Sequence, residues 1–142
     1  MADTSGQENA AQLIVGGLLL NPAGEILLCQ RALTGRQGGK WEFPGGKVEA
    51  GESETAALTR EFQEELCIRA WPERLLLRIR HHYPETGLLE LAFYQMVGFT
   101  GTPVNRVFEQ IRWVVPSAVP SFDLLEADRR VWPELFAALR VK

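Results

Sequence analysis

The segment from Ser53 to Leu66 constrains the fold more than any other part of the chain. Apolar residues recur there at near-helical spacing, at Ala56, Ala57, Phe62 and Leu66. Alanine and glutamate favour the helical conformation, and the Ser53 hydroxyl can cap the first turn. We therefore expect a helix over 53–66. Because strand-like segments precede and follow it, this helix should pack against a sheet.

Most of the remaining chain consists of short apolar runs that are rich in branched and aromatic residues and bounded by turn sequences. The expected strands are 12–20, 25–31, 41–43, 75–83, 88–99 and 111–115. The turn sequence Asn21-Pro22-Ala23-Gly24 predicts that the first two strands form a β-hairpin. The polar, glycine-rich residues 32–40 predict a surface loop.

A second helix is expected to follow Asp128 and run towards Arg140, with Pro133 disturbing its first turns. The chain order is then strands, helix, strands, helix. Short strands with a helix on each side predict an α/β fold, an α/β/α sandwich around a mixed sheet.

Length and composition are typical of one globular domain. The chain has 142 residues, of which 46% are hydrophobic and 23% charged, and its net charge is −3. We expect a flexible tail over 1–11 and a single domain over 12–142. The acidic balance argues against binding of polymeric nucleic acid, and the short apolar stretches argue against a membrane protein.

The two cysteines, Cys29 and Cys67, lie in separate apolar runs and lack the CxxC spacing of a zinc or redox site. We therefore expect neither a disulfide framework nor a zinc site. The polar start of the chain lacks the basic region of a secretory leader. These features favour a reducing, cytoplasmic location, and we expect a monomer or a homodimer.

Three carboxylates, Glu61, Glu64 and Glu65, occupy positions i, i+3 and i+4 of the expected helix. This spacing brings the side chains onto one face, about 5–6 Å apart, in the half of the helix where the dipole is negative. A solvated acidic surface is one interpretation. However, Glu61 and Glu64 are not followed four residues later by lysine or arginine. The pattern favours a site for a hard divalent cation such as Mg²⁺, which prefers oxygen ligands.

A glycine pair, Gly45-Gly46, lies upstream of this helix and lets the backbone approach a ligand closely. The segment GGKVEAGESETAALTREFQEELCI resembles the Nudix box, G-x5-E-x7-R-E-U-x-E-E-x-G-U, in which U is a bulky apolar residue. The fixed positions that match are Gly46, Glu52, Arg60, Glu61, Phe62, Glu64, Glu65 and Ile68. The departure is Cys67, which stands where the family has glycine. We expect either a strained left-handed residue there, at a cost of about 1 kcal/mol, or a different helix end.

The resemblance covers most of the chain from about Gln12 onwards, and the family's fold agrees with the expected sandwich. It implies hydrolysis of a nucleoside diphosphate linked to a further moiety, with Mg²⁺ or Mn²⁺ holding the pyrophosphate. By this resemblance Glu61, Glu64 and Glu65 are metal ligands, and the Gly45 carbonyl is a further ligand.

The resemblance also implies roles for groups around the metal. Glu52 either binds metal or orients Arg60, whose guanidinium can fork to Glu52 or to Glu61. An ordinary surface position is the alternative for Arg60. Glu64 and Glu109 are both candidates for the general base.

Flanking segments are similar to the MutT-type members of the family, the 8-oxo-dGTP diphosphatases and their CTP-preferring relatives. The similarity lies in Arg31-Ala32, in WEFPGGK over 41–47 and in LLEADR over 124–129. It implies that Arg31 contacts a substrate phosphate, with a salt bridge in the loop as the alternative.

Asp128, in the segment 124–129, is expected either to accept hydrogen bonds from the base or to cap the last helix. Phe43 and Phe108 either form an apolar wall for the base or belong to the core. MutT-type enzymes have asparagine where this chain has Asp128. Because an ionised aspartate only accepts hydrogen bonds, cytosine nucleotides are candidate substrates beside 8-oxo-dGTP.

The expected function is therefore a Mg²⁺-dependent nucleoside triphosphate pyrophosphohydrolase that releases a nucleoside monophosphate and pyrophosphate. Such an enzyme would clean the nucleotide pool and so support DNA repair. Hydrolysis of ADP-ribose or of a dinucleoside polyphosphate is an alternative, because the box determines the type of reaction and does not determine the leaving group. A non-catalytic nucleotide-binding module is the rival from another class, although such modules often lose box glutamates that this chain keeps.

Overall fold

The computed structural model describes residues 11–140. The expected N-terminal tail, 1–11, lies outside these residues except for Ala11. The strands are β1 (Gln12–Leu18), β2 (Ile26–Gln30), β3 (Trp41–Glu42), β4 (Gly45–Lys47), β5 (Arg69–Tyr83), β6 (Gly87–Thr100) and β7 (Gln110–Val114). The helices are α1 (Glu54–Leu66) and α2 (Glu126–Ala138), and a 3₁₀-helix covers Pro116–Ser121.

The strands form two sheets. The larger has the order β4-β1-β6-β5, in which β1 and β6 run parallel and the other neighbours run antiparallel. The smaller has the order β3-β2-β7 and is antiparallel throughout. The larger sheet is therefore mixed, as the sequence predicts.

Each helix covers its own layer of apolar side chains. Leu27 and Cys29 of β2 pack in a cluster with α1, whereas Ile26 and Leu28 pack in a cluster with α2. Because successive residues of a strand point to opposite faces, this alternation places β2 between the two helices. The α/β/α sandwich expected from the order of the elements is confirmed.

The expected hairpin of the first two strands is wrong. The turn itself forms, since the Asn21 side chain accepts hydrogen bonds from the N–H groups of Ala23 and Glu25. Beyond a single bridge between Leu20 and Ile26, however, the strands separate into different sheets. Each strand has two long-range neighbours, β4 and β6 for β1 and β3 and β7 for β2, so no edge remains for local pairing.

Several boundaries differ from the expected ones. The long strand before Tyr83 begins at Arg69 instead of residue 75, and Gly45 and Gly46 lie in β4, which is absent from the expected strands. Helix α2 begins at Glu126, before Asp128, and continues through Pro133. Within residues 11–140, neither helix is long and apolar enough to cross a membrane.

Helix α1 has the ends that its sequence predicts. The Ser53 hydroxyl accepts a hydrogen bond from the Ala56 N–H at 3.1 Å and caps the first turn. The helix ends at Cys67, which has φ +57° and ψ +29° and donates its N–H to the Gln63 carbonyl. The expected left-handed conformation of this non-glycine residue is confirmed.

Candidate active site

The glycine pair brings β4 against β1 and α1. At Gly45 a Cβ atom would overlap the Val15 carbonyl oxygen, and at Gly46 it would overlap the Glu61 carboxylate. Any larger residue would therefore push β4 away from both elements. The glycines allow the backbone to lie directly beside the acidic face of α1.

One guanidinium organises the carboxylates of this face. Nε and Nη2 of Arg60 donate to the two oxygens of Glu52 at 2.7 and 2.9 Å. Nη1 donates to Glu61 at 2.6 Å and to Glu64 at 3.0 Å, and Nη2 also donates to the Lys47 carbonyl at 3.0 Å. Sequence reasoning left the partner of Arg60 open between Glu52 and Glu61, and Arg60 contacts both. Its hydrogen bonds are the main cause that lowers the pKa of Glu52 to about 2.

The carboxyl groups of Glu61 and Glu65 lie close together. Within residues 11–140, Arg60 contacts Glu61 and no cation forms a salt bridge with Glu65. Burial, the contact with Glu61 and the nearby Glu42 carboxylate raise the pKa of Glu65 far above its usual range, although a hydrogen bond from the Gly45 backbone acts in the opposite direction. Oε1 of Glu65 is buried and has no hydrogen-bond partner within residues 11–140. A buried carboxylate oxygen without a donor is costly. A cation between the two carboxylates would provide the missing partner and keep both ionised.

Glu64, the third expected metal ligand, lies apart from this pair. Its side chain is 58% exposed and accepts the hydrogen bond from Arg60. Within residues 11–140, no three His, Cys, Asp or Glu side chains form a ready-made metal site. The described arrangement therefore brings Glu61 and Glu65 together and leaves Glu64 with Arg60.

A cavity of about 650 Å³ opens beside the glutamate pair. Seven residues singled out from the sequence line it: Arg31, Phe43, Gly45, Gly46, Glu61, Glu65 and Asp128. Glu52, Arg60 and Glu64 do not line the cavity and belong to the charged network on α1 and the segment before it. The cavity thus joins the carboxylate pair to the start of α2, more than sixty residues further along the chain.

Arg31 is held in the cavity wall by two contacts. Its Nη1 donates to Glu42 at 3.1 Å, and its Nε donates to the Arg36 carbonyl at 3.2 Å. The salt bridge that was the alternative role for Arg31 is therefore present, with Glu42 as its partner. Arg31 also lines the cavity.

Glu42 is a site residue that sequence reasoning missed. Burial raises its pKa, and the charge of Arg31 acts against this shift. The Glu42 carboxylate also raises the pKa of both Glu65 and Asp128, and Glu42 lines the same cavity as both residues. A charged residue between Trp41 and Phe43 was the available signal, because a carboxylate in an apolar strand needs a partner.

Asp128 is buried, with 4% of its surface exposed. Its Oδ2 accepts a hydrogen bond from the Phe43 N–H at 3.2 Å. The N-cap alternative for Asp128 is wrong, because Leu125 precedes the first turn and no side chain caps it. Burial, with the Glu42 charge, raises the pKa of Asp128 to about 8. This shift favours the protonated carboxyl, which offers a donor as well as an acceptor, whereas the sequence analysis considered the ionised, acceptor-only form.

The two phenylalanines considered for a base wall differ in position. Phe43 is buried and lines the cavity, whereas Phe108 is partly buried against the α1 core cluster and does not line the cavity. Glu109, next in the chain, is exposed and also lies outside the lining. The loop before β7 is therefore separate from the cavity wall in this conformation.

Comparison with known proteins gives consistent similarities. A model of the NUDIX domain matches residues 10–135 of the chain. The 8-oxo-dGTP diphosphatase of Haemophilus influenzae is 36% identical over 106 residues, which cover 75% of this chain and 77% of that protein. The CTP pyrophosphohydrolase of Escherichia coli (strain K12) is 36% identical over 118 residues, with coverage of 82% and 85%. The solution structure of the E. coli ORF135 protein has a TM-score of 0.81 at 29% identity, with 92% of each chain covered. All residues that line the cavity fall within the matched range.

Proposed function

Because the chain belongs to the NUDIX family, we propose that it hydrolyses nucleoside triphosphates to a nucleoside monophosphate and pyrophosphate with the help of Mg²⁺ or Mn²⁺. The observation that carries this proposal is the partly buried Glu61–Glu65 pair beside Gly45 in a cavity that extends to Asp128. A nucleotide has the matching layout, since its phosphates need cations and its base needs an apolar slot with a few polar groups.

The residues that would hold the metal are Glu61 and Glu65, with the Gly45 carbonyl as a further ligand. Glu64, the third ligand that the resemblance implies, would have to exchange its hydrogen bond with Arg60 for the cation. The unpartnered Glu65 oxygen and the oxygen-only donor set fit a hard divalent cation. When bound, such an ion neutralises charge on the phosphate oxygens and makes water more acidic.

Two arginines, Arg60 and Arg31, position the carboxylates and the substrate. Arg60 fixes the rotamers of Glu52 and Glu61 by charge-assisted hydrogen bonds, so both carboxylates are already oriented before substrate arrives. Arg31 lines the cavity, and Glu42 and the Arg36 carbonyl hold it there, so we propose that it binds a substrate phosphate.

Asp128 and Phe43 are the proposed base-binding residues. A protonated Asp128 carries a donor and an acceptor, the same capacity as the asparagine of MutT-type enzymes. The substrate is then an oxidised guanine nucleotide or a cytosine nucleotide, and the relatives with these two activities support this class. Hydrolysis of such nucleotides would clean the nucleotide pool and limit mutation of DNA.

Glu64 and Glu109 are the candidates for the general base. Glu64 lies on the acidic face of α1 within hydrogen-bond reach of Arg60, whereas Glu109 lies in the exposed loop before β7. The pH dependence of kcat/KM for Glu64→Gln and Glu109→Gln separates them, because loss of the base removes the lower-pH limb of the profile.

We also propose a cytoplasmic enzyme with one domain over 12–142, active as a monomer or a homodimer, with no nucleic acid polymer or membrane as partner. Two free cysteines, one of them buried, and the acidic net charge support this location and partner class.

A nucleotide panel with product identification tests the proposed function. The panel contains 8-oxo-dGTP, dGTP, CTP, dCTP, ADP-ribose and a dinucleoside polyphosphate, each assayed with Mg²⁺, with Mn²⁺ and with a chelator. We expect monophosphate and pyrophosphate from a triphosphate and no turnover with chelator. Preferred cleavage of ADP-ribose or a dinucleoside polyphosphate would show that triphosphates are the wrong substrate class. Tight nucleotide binding without turnover would indicate a binding module.

A further inference from the structure

The hydroxyl group of Tyr83 lies in the cavity wall and has no role in the proposed function. Tyr83 is the last residue of β5, is 8% exposed and lines the cavity together with Asp128. Its oxygen accepts a hydrogen bond from the Ala127 N–H at 2.8 Å, in the first turn of α2. Because Asp128 follows Ala127 directly, the hydroxyl is held close to the proposed base-binding carboxyl.

This hydroxyl still has a hydrogen to donate. A phenol offers one donor, and the contact with Ala127 uses only its acceptor capacity. Within residues 11–140, no acceptor for the Tyr83 hydrogen is present. Burial raises the pKa of Tyr83 to about 12, so the hydroxyl keeps its hydrogen throughout the physiological range.

Most side chains around the Tyr83 ring are apolar, whereas the Asp128 carboxyl is close to its hydroxyl and the His81 ring centroid lies 4.6 Å from its own. Tyr83 shares a core cluster with Phe43, Leu89, Leu91 and Phe93, and all five residues also line the cavity. In such a wall a buried donor is costly unless a ligand supplies an acceptor. The flat apolar walls suit an aromatic heterocycle, and the donor selects one with an acceptor at its edge.

We propose that the Tyr83 hydroxyl donates a hydrogen bond to a carbonyl oxygen of the nucleobase, so that Tyr83 and Asp128 together read the base edge. This inference rests on the proposed function, because it takes the ligand to be a nucleotide. Cytosine, guanine and 8-oxoguanine carry ring carbonyls, whereas adenine carries none. Tyr83 is then a specificity-determining residue that favours bases with a carbonyl over adenine.

The test measures binding of products, which requires no hydrolysis and no metal. Wild-type protein and Tyr83→Phe are titrated calorimetrically with CMP, 8-oxo-dGMP, AMP and ribose 5-phosphate in the presence of a chelator. Removing the donor leaves the base carbonyl unpaired in an apolar site. We expect the affinity for the better of CMP and 8-oxo-dGMP to fall about tenfold, with AMP and ribose 5-phosphate changed by less than about twofold.

The Tyr83→Phe change also removes the acceptor for the Ala127 N–H, and the AMP titration separates this structural effect. A shift of α2 would weaken AMP as much as CMP, so equal losses would overturn the inference. Unchanged affinity for every ligand would overturn it as well, and so would wild-type protein that binds both carbonyl-bearing nucleotides no better than ribose 5-phosphate.

The matched control is Tyr94→Phe, the same change at the other tyrosine of the chain. The Tyr94 hydroxyl donates to Glu54 at 2.6 Å, and Tyr94 does not line the cavity. We expect all four affinities to be unchanged in this variant. Turnover of the triphosphate panel is measured separately, so a failure of the proposed hydrolysis and a failure of the Tyr83 contact give different results.

Discussion

At the scale of single residues, the candidate site depends on charged groups that are held by one another. Arg60 donates to Glu52, Glu61 and Glu64 at once, and no other side chain in residues 11–140 contacts all three. A guanidinium can do this because its donors form a rigid planar fork, whereas an ammonium is a single point charge. The geometry of the acidic face therefore depends on the kind of cation as well as on its charge.

Arg60→Lys keeps the charge and removes the fork. We expect kcat to fall about 10- to 100-fold, which is the usual loss when a group that orients metal ligands is removed. Steady-state assays of the best nucleotide with saturating Mg²⁺ measure this effect. Arg69→Lys is the control, since Arg69 is exposed and its guanidinium forms no hydrogen bond or salt bridge with residues 11–140. A kcat within about twofold of wild type for Arg60→Lys would contradict an orienting role.

The burial of Asp128 makes the free energy of unfolding depend on pH. Its pKa is about 8 in the folded protein, against about 3.9 for an aspartate in an unfolded chain. Between these pH values the folded state keeps a proton that the unfolded state has lost. The contribution of Asp128 to the free energy of unfolding therefore falls as pH rises from about 4 to about 8 and is constant above that.

Asp128→Asn removes this proton and keeps an acceptor for the Phe43 N–H. We expect the stability of the variant relative to wild type to increase steadily from pH 5 to pH 8. Urea unfolding of both proteins at each pH unit gives the difference in their free energies of unfolding. The contributions of the other titrating groups cancel in this difference. Asp123→Asn serves as the control because Asp123 is exposed and paired with Lys40. Parallel pH profiles for Asp128→Asn and wild type would show that the folded protein does not hold this proton.

At the scale of elements, α1 has a well-capped start and a strained end. Ser53 satisfies an N–H of the first turn, whereas Cys67 adopts the left-handed conformation that glycine adopts without penalty. The strain is accepted because the chain must turn at Cys67 to enter β5 at Arg69, and the turn places Ile68 and Ala70 in the α1 core cluster.

Cys67→Gly should therefore stabilise the protein, by about 1 kcal/mol, because glycine removes the steric penalty of φ +57°. Chemical unfolding measures this gain. Cys67→Ala is the matched control, since alanine removes the Sγ atom near Arg106 and keeps the Cβ that causes the strain. If Cys67→Gly is no more stable than Cys67→Ala, the left-handed conformation is not the source of the cost.

At the scale of the whole molecule, the proposed metal site at the glutamate pair would couple folding to metal binding. The folded chain brings Glu61 and Glu65 beside Gly45, and an unfolded chain has no such site. A ligand bound only by the folded state adds RT ln(1 + [L]/Kd) to stability, or about 2.7 kcal/mol at a hundred times Kd.

We accordingly expect millimolar MgCl₂ to raise the Tm of the wild-type protein, whereas NaCl of equal ionic strength should not. Glu65→Gln should lose the Mg²⁺-dependent rise, because a neutral amide cannot supply the carboxylate that the cation would bind. Thermal melts of both proteins in both salts measure this. A wild-type Tm that stays constant up to tens of millimolar MgCl₂ would contradict a metal site in the free protein.

Local sequence determined the parts of this protein that depend on neighbouring residues. The cap at Ser53, the left-handed end at Cys67 and the helical face with Glu61 and Glu65 follow from spacings within one segment. A helix repeats every 3.6 residues, so residues i and i+4 meet whatever the rest of the chain does.

Only the tertiary structure decided which distant segments meet. It paired β1 with β6 instead of β2, and it placed Tyr83 and Asp128 in one cavity wall. It also buried Asp128 and so raised its pKa, whereas the sequence alone indicated an ionised acceptor. The physical reason is that desolvation and strand pairing depend on what packs around a group, and those neighbours come from elements far apart in the chain.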